Sequence, residues 1–318
     1  MLLSKAVEGF LFSKSADGLS SNILGIYRWA LDKLIRFTHD KPVEEITTED
    51  CKHWFVWLRT DYRQESGRKT ERLALGSLQN AYTALKSFYT WAQEELGIPR
   101  VDKVKRPTGE LPVIRVLTED EIRALLKVAE YYNVRATGNR KAYTQKCPTG
   151  IRNVAILMLL LDTGLRAGEA SRLRVRDVDQ QTGAVTVMPF GSGRKSKPRV
   201  VYLGRAARRA LWRYLADRSD LEDDAPLFVT DEEKPVRRDL LVQLVRYLGK
   251  RAGIKDCHPH VLRHTFATEF IRNGGDVFSL QRALGHSDLA MVRRYVETAQ
   301  SDVESAFRRA SPGDKWRL

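Results

Sequence analysis

The stretch HPHVLRHTFATEFIRNGGDVFSLQRALGHSDLAMVRRYVE, residues 258–297, decides how the rest of the chain is read. Its first half is helical in period, with Val261, Leu262, Phe266, Ala267, Phe270 and Ile271 at helical steps. His260 and Arg263 fall three residues apart within it, so a helix sets imidazole and guanidinium side by side on one face. Asn273-Gly274-Gly275 ends that helix and a second begins near Asp276. The second closes at Leu284-Gly285-His286-Ser287, which leaves another histidine in the turn. A third helix from Asp288 carries Tyr295, just behind Arg293 and Arg294. Arginine grips phosphate oxygens in a two-pronged way, histidine moves protons near neutral pH, and a phenol becomes a nucleophile once its proton has somewhere to go. Each motif alone is short, and reads equally as a solvated helix face or a glycine stop with a capping histidine.

A second stretch, DTGLRAGEASRL from Asp162 to Leu173, adds the missing piece. An apolar helix, Val154 to Leu161, breaks at Thr163-Gly164, and a new one starts near Arg166. An arginine there projects among free backbone N–H groups, where anions are already favoured. With this segment the chain resembles the tyrosine recombinase (phage integrase) family, whose signature is a TGLR-x-x-E box, an HxxR helix, an LGH turn and a C-terminal tyrosine. All four occur in that order, including the nine-residue step from His286 to Tyr295. The resemblance covers residues 115 to 300 strongly and the N-terminal part weakly.

Composition agrees with a polyanionic partner. The 318 residues suggest about two domains, and 42% hydrophobic with 30% charged residues is ordinary for a globular chain. A net charge of +14 is not ordinary. Residues 1–110 contribute +2 of it and residues 111–318 contribute +12, so phosphate affinity is expected mainly from the C-terminal part. Cys51, Cys147 and Cys257 are odd in number and widely spaced, which indicates neither a disulfide framework nor a zinc site. The longest apolar run is far too short for a membrane span, and residues 1–20 lack a signal-peptide layout. No membrane partner and a cytoplasmic, nucleoid-associated location are expected.

From Ser4 to Gly97 the pattern is helical: Lys5 to Phe12, Ser20 to Thr38, Cys51 to Tyr62 and Leu73 to Leu96, with a cap at Thr47–Asp50 and a polar loop at 64–71. The last of these is similar to the final helix of the family's core-binding domain, and Ser77, Thr83 and Lys86 lie off its apolar stripe where they face DNA or solvent. Residues 97–117 contain three prolines and two glycines without periodicity, which reads as a linker, and its Lys103, Lys105 and Arg106 are expected along a phosphate backbone. Thr118-Glu119-Asp120-Glu121 caps the next helix, and a second polar loop spans 137–148. Ala184–Met188 and Arg199–Leu203 read as a β-hairpin around the basic loop PFGSGRKSK.

The resemblance implies a mainly α fold: residues 1–98 as a four-helix, SAM-like core-binding domain, 99–116 as linker, and 117–318 as a mixed α/β catalytic domain with a small β-sheet and a C-terminal tail, the two domains forming a clamp around DNA. It implies Arg166, Lys195, His260, Arg263, His286 and the nucleophile Tyr295 as catalytic residues, with Glu169 supporting. In the family the hairpin carries a lysine that protonates the leaving oxygen, in a GKG pattern. Here that pattern stands as Gly191-Ser192-Gly193. Lys195 is the first choice for the role and Lys197 the second, while Arg194 is too weak an acid and is expected at DNA. The implied reaction is site-specific strand exchange through a 3′-phosphotyrosyl link, needing neither metal nor other cofactor. Implied partners are duplex DNA with inverted-repeat core sites and further copies of the chain, as a tetramer, with the tail docked in cis or in trans. A DNA-binding protein of the same fold with impaired chemistry, and relaxation of the type IB topoisomerase kind, are the alternatives. The biological role is chromosome dimer resolution, as in Xer-like enzymes, or movement of a mobile element.

Overall fold

A computed structural model describes every residue except 67–68, 110–112, 135–142, 190–197, 219–220, 286–288, 300–310 and 312–318. The chain divides into two compact units, Met1–Pro112 and Val113–Leu318.

The first unit holds α1 (Leu3–Ala16), α2 (Ser21–Thr38), α3 (Thr48–Thr60) and α4 (Leu75–Leu96). Their starts follow from side-chain caps. Ser20 accepts the Ile23 N–H ahead of α2, and Thr47 with Asp50 forms a reciprocal capping box ahead of α3. The core is aromatic: Phe10 meets Phe88 edge-on, and Trp54 meets Phe55 in the same way. Within 64–71, expected as a loop, β1 (Gln64–Ser66) and β2 (Lys69–Glu71) pair antiparallel, so that their backbone groups satisfy one another where no helix takes them.

Chain beyond α4 does not leave this unit at once. Ile98 is buried and Val101 and Val104 pack on the same core, while Gln79 Nε2 donates to the Pro107 carbonyl over 3.1 Å. Asp102 is buried and receives Arg100 through both carboxylate oxygens, at 3.0 and 2.6 Å. Lys86 completes the set, with its Nζ 2.7 Å from the Asp102 carbonyl and 3.0 Å from its carboxylate. Burial pushes the Asp102 carboxyl up, but the Arg100 and Lys86 hydrogen bonds outweigh it and hold the group low. Lys86, expected to face DNA, is therefore committed to anchoring residues 98–107 on α4. Ser77 is half-buried and Thr83, Lys103, Lys105 and Arg106 are exposed.

The second unit contains α5 (Glu119–Glu130), β3 (Tyr131–Val134), β4 (Tyr143–Lys146), α6 (Gly150–Thr163), α7 (Ala167–Ala170), β5 (Ala184–Val187), β6 (Arg199–Tyr202), α8 (Arg205–Ala216), α9 (Arg238–Arg251), α10 (Pro259–Arg272), α11 (Val277–Leu284) and α12 (Leu289–Ala299). The β3–β4 hairpin takes up part of the stretch expected as a second polar loop. In β5 and β6, Val185, Val187 and Val201 point inward and are buried, and Val187 pairs with Arg199 at the open end. The apolar α6 is buried against α5, α8 and α10, with Ile156, Leu159 and Leu160 at the centre. A smaller core joins α10, α11 and α12 through Ala267, Ile271, Leu280, Leu284, Val292 and Tyr295.

Thr265 on α10 fixes the entry to this unit: its hydroxyl accepts the Leu117 N–H at 2.9 Å and donates to Val261 O, wholly buried. Thr265→Val leaves that N–H without an acceptor, and about 1–3 kcal/mol of stability is expected to go. Urea unfolding measures it, and Thr265→Ser, which keeps the accepting hydroxyl, should retain most of the stability.

Candidate active site

The site is assembled from the ends of helices. α6 stops at Gly164, which has φ +61° and lies where an added Cβ would come within 2.3 Å of the Phe266 ring. No other residue fits there. The chain then turns through buried Leu165, so that Arg166 sits at the start of α7 with extended backbone. Glu169 reaches back to the Arg166 N–H at 2.9 Å and to its guanidinium at 3.2 Å. The Arg166 side chain stays 42% exposed, aimed outward rather than into the core.

Glu169 is itself held from behind. Arg199, at the open end of β6, grips both its oxygens at 3.0 and 2.8 Å and donates through Nε to the Ala283 carbonyl at 2.8 Å. Both side chains of this pair are 9% exposed. Burial alone pushes the Glu169 carboxyl up; the Arg199 hydrogen bonds and charge, then Arg166, outweigh it and hold the group below its ordinary value of 4.5. A depressed carboxyl adds stability above its unfolded value and loses it as pH falls through the lowered folded value. Two consequences are expected. Glu169→Ala strands a buried guanidinium and costs about 3–5 kcal/mol in unfolding free energy. Glu169→Gln flattens the loss of stability on the acid side of pH 4.5, read as Tm against pH.

α10 brings the HxxR pair. Pro259 sits at its first turn, where a missing N–H costs nothing. Arg263 is 3% exposed and donates to the carbonyls of Gly164, at 2.7 Å, and Leu284, at 2.8 Å. It therefore ties the end of α6 to the end of α11 while its charge lies beside that of Arg166. Burial first, and Arg166 second, push its guanidinium down to about 10, so it stays cationic at neutral pH. His260, on the outer face of the same helix, is exposed. Burial, then the charges of His258, Arg263, Arg166 and Arg238, push its imidazole below the ordinary value, which leaves it neutral and able to accept a proton. Arg166, Arg172, Arg238, His258 and His260 line a cavity of about 540 Å³ in which Glu169 is the one carboxylate among the described residues. Since that carboxylate is already saturated by arginines, the cavity is short of negative charge and suited to a phosphate.

Tyr295 arrives on α12 from the same chain. Its phenol is 1% exposed and feels the charges of Arg263, Arg294 and Arg166. Burial pushes it up and those cations pull it down, with burial prevailing. Its hydroxyl lies 2.8 Å from Nδ1 of His264, one helical turn beyond His260. In this conformation the Tyr295 hydroxyl therefore meets His264 and not His260, which the resemblance implied as a catalytic residue. Arg166 pairs with Glu169, and Arg166, Arg263 and Tyr295 lie near enough for charge on one to act on another. His286, the hairpin residues Arg194, Lys195 and Lys197, and the tail lie outside the described residues. Arg199 and His264 went unnoticed in the sequence: a lone arginine in a short strand has no motif, and His264 is overshadowed by its neighbour Arg263. Among the described residues no three His, Cys, Asp or Glu side chains are grouped to hold a metal ion, and no helix is long and apolar enough to cross a membrane.

Known proteins resemble this arrangement. Residues 115–302 match the model of the phage integrase family. The chain is 28% identical over 318 residues to tyrosine recombinase XerC of Pelobacter propionicus, covering 98% of this chain and 96% of the relative. It is 27% identical over 314 residues to tyrosine recombinase XerD of Halalkalibacterium halodurans, covering 95% of each. Among solved structures, the Tn1549 transposon integrase in complex with transposon right-end DNA has the same fold with a TM-score of 0.72 at 17% identity, covering 96% of this chain and 99% of that one. The XerH site-specific recombinase bound to palindromic difH substrate gives 0.67 at 20% identity, covering 89% and 78%.

Proposed function

The chain belongs to the phage integrase family, and from that membership we propose that it is a site-specific tyrosine recombinase that cuts and rejoins DNA strands through a covalent link to Tyr295. The observation that carries the reading is the convergence of Arg166, Arg263 and the phenol of Tyr295 in one chain, close enough that each acts on the others' charge.

The pentavalent transition state of a phosphodiester carries more negative charge than the ground state, and fixed cations stabilise that increment. Arg166 and Arg263 hold the two non-bridging oxygens, and His286 adds a hydrogen bond to one of them. The Tyr295 oxygen bonds to phosphorus, and its proton passes to neutral His260. The bond from phosphorus to the 5′-oxygen breaks, leaving a 3′-phosphotyrosyl ester and a 5′-hydroxyl protonated by Lys195 or, failing it, Lys197. Attack by a partner strand's 5′-hydroxyl reverses these steps and restores the phenol. The ester keeps the bond energy. Glu169 and Arg199 act behind Arg166, fixing its position.

Duplex DNA with inverted-repeat half-sites is the substrate we assign, with the chain acting as a tetramer in the cytoplasm and its tail docked on a neighbour or on itself. The +14 charge and the palindromic difH substrate bound in the XerH structure support this. A duplex nicked close to the cleavage site tests it, because the short fragment that bears the new 5′-hydroxyl diffuses away and leaves the intermediate trapped. A covalent adduct is expected. Binding without adduct would identify a DNA-binding protein that lacks the chemistry, and relaxation of supercoils without partner DNA would point to a topoisomerase.

A further inference from the structure

The nucleophile and the Arg166–His260 pair do not open onto the same space in this conformation, and Arg263 is buried as Tyr295 is. Arg166 and His260 line the open cavity, whereas Tyr295 is not among the described residues that line it. Its ring is packed into the small core with Ala267, Leu280, Leu284 and Val292. Its hydroxyl meets His264 Nδ1 at 2.8 Å, with the two rings tilted and their centroids 5.6 Å apart. Burial first, then the charges of His260 and Arg263, push the His264 imidazole down to about 4, so it is neutral at working pH. Burial pushes the Tyr295 phenol up, so it keeps its hydrogen. A buried O–H needs an acceptor, and the unprotonated nitrogen of a neutral imidazole is one. Tyr295 therefore donates and Nδ1 accepts.

We propose that His264 is a positioning residue that holds the Tyr295 hydroxyl in a resting place, and that this hydrogen bond has to break before the tyrosine can reach a phosphate in the Arg166 cavity. The inference rests on Tyr295 being the nucleophile. No proton is transferred in the resting contact. Its effect is on populations: the fraction of molecules ready to attack is lowered by the strength of the bond, and DNA that draws α12 outward has to overcome it. Free protein would then leave passing phosphodiesters alone.

Three variants separate this from other roles. His264→Phe keeps the ring volume but offers no acceptor, which leaves the resting hydroxyl unsatisfied. His264→Asn places Oδ1 where Nδ1 stood. His264→Ala reads the same quantity should the Phe variant not fold, as judged by circular dichroism. With protein saturating over the nicked duplex, H264F is expected to form adduct about tenfold faster than wild type, the scale of an unmade buried hydrogen bond. H264N should stay near the wild-type rate. Nitration of Tyr295 by tetranitromethane, read by peptide mass, should rise in H264F and not in H264N. Damage to the fold slows cleavage rather than speeding it, so the acceleration is diagnostic. An unchanged rate in H264F overturns the proposal. So does a tenfold fall with DNA binding intact, which would make His264 the proton acceptor. If wild type itself yields no adduct, it is the reading of Tyr295 that fails.

Discussion

Tyr295→Phe is expected to bring adduct formation on a nicked duplex down to background, by about four orders of magnitude or more, as removal of a nucleophile does in enzymes of this logic. DNA affinity should not change with it. Affinity for DNA comes chiefly from cations neutralising backbone phosphates, and the phenol contributes none. The ring is 1% exposed inside an apolar cluster, and Phe fills the same volume, so the fold should persist. The pair of measurements is a filter-binding isotherm and a gel of trapped adduct. Loss of both together would mean that Tyr295 serves structure, not chemistry.

The second large effect separates the two arginines. Arg166→Ala removes a 42% exposed guanidinium that pairs with Glu169, so stability should barely move. Single-turnover cleavage should fall by roughly a hundredfold to a thousandfold, the usual consequence of losing one contact to developing negative charge. Arg263→Ala should cost the same in cleavage and, in addition, about 2–5 kcal/mol in unfolding free energy, because two buried carbonyls lose their donor. Those carbonyls, of Gly164 and Leu284, end α6 and α11. Arg263→Lys cannot repair this, since one ammonium does not reproduce a planar fork that spans two turns. Urea unfolding beside single-turnover rates reads the difference. An Arg263→Ala protein as stable as wild type would refute the double role.

Which parts of this were legible beforehand follows from where each residue's information lies. α10, α11 and α12 could be read because their apolar steps, glycine stops and caps are local, and the same holds for the break at Gly164 that exposes Arg166. The capping boxes at Thr47 and Thr118 fixed helix starts for the same reason. Lys86 misled because a lysine off an apolar stripe reads as surface, while its partner Asp102 sits sixteen residues away in a stretch that reads as linker. Arg199 was invisible because its three attachments, to Glu169 and Ala283, span 30 and 84 positions. The short hairpin β1–β2 is made of polar residues, and β3 and β4 are four residues each, too short for alternation to announce them. His264 required coordinates: nothing in the sequence distinguishes it from His260 as the imidazole that meets Tyr295.

The central proposition, that Arg166, Arg263 and Tyr295 act on one phosphate, is tested most directly by removing charge from the DNA. A nicked duplex carrying a single methylphosphonate at the scissile position presents one non-bridging oxygen fewer and no negative charge there. If the arginines exist to neutralise that charge, Arg166→Ala and Arg263→Ala should recover most of their lost cleavage rate on this duplex, while Tyr295→Phe stays at background. Equal deficits of the two arginine variants on the neutral and the charged duplex would contradict it.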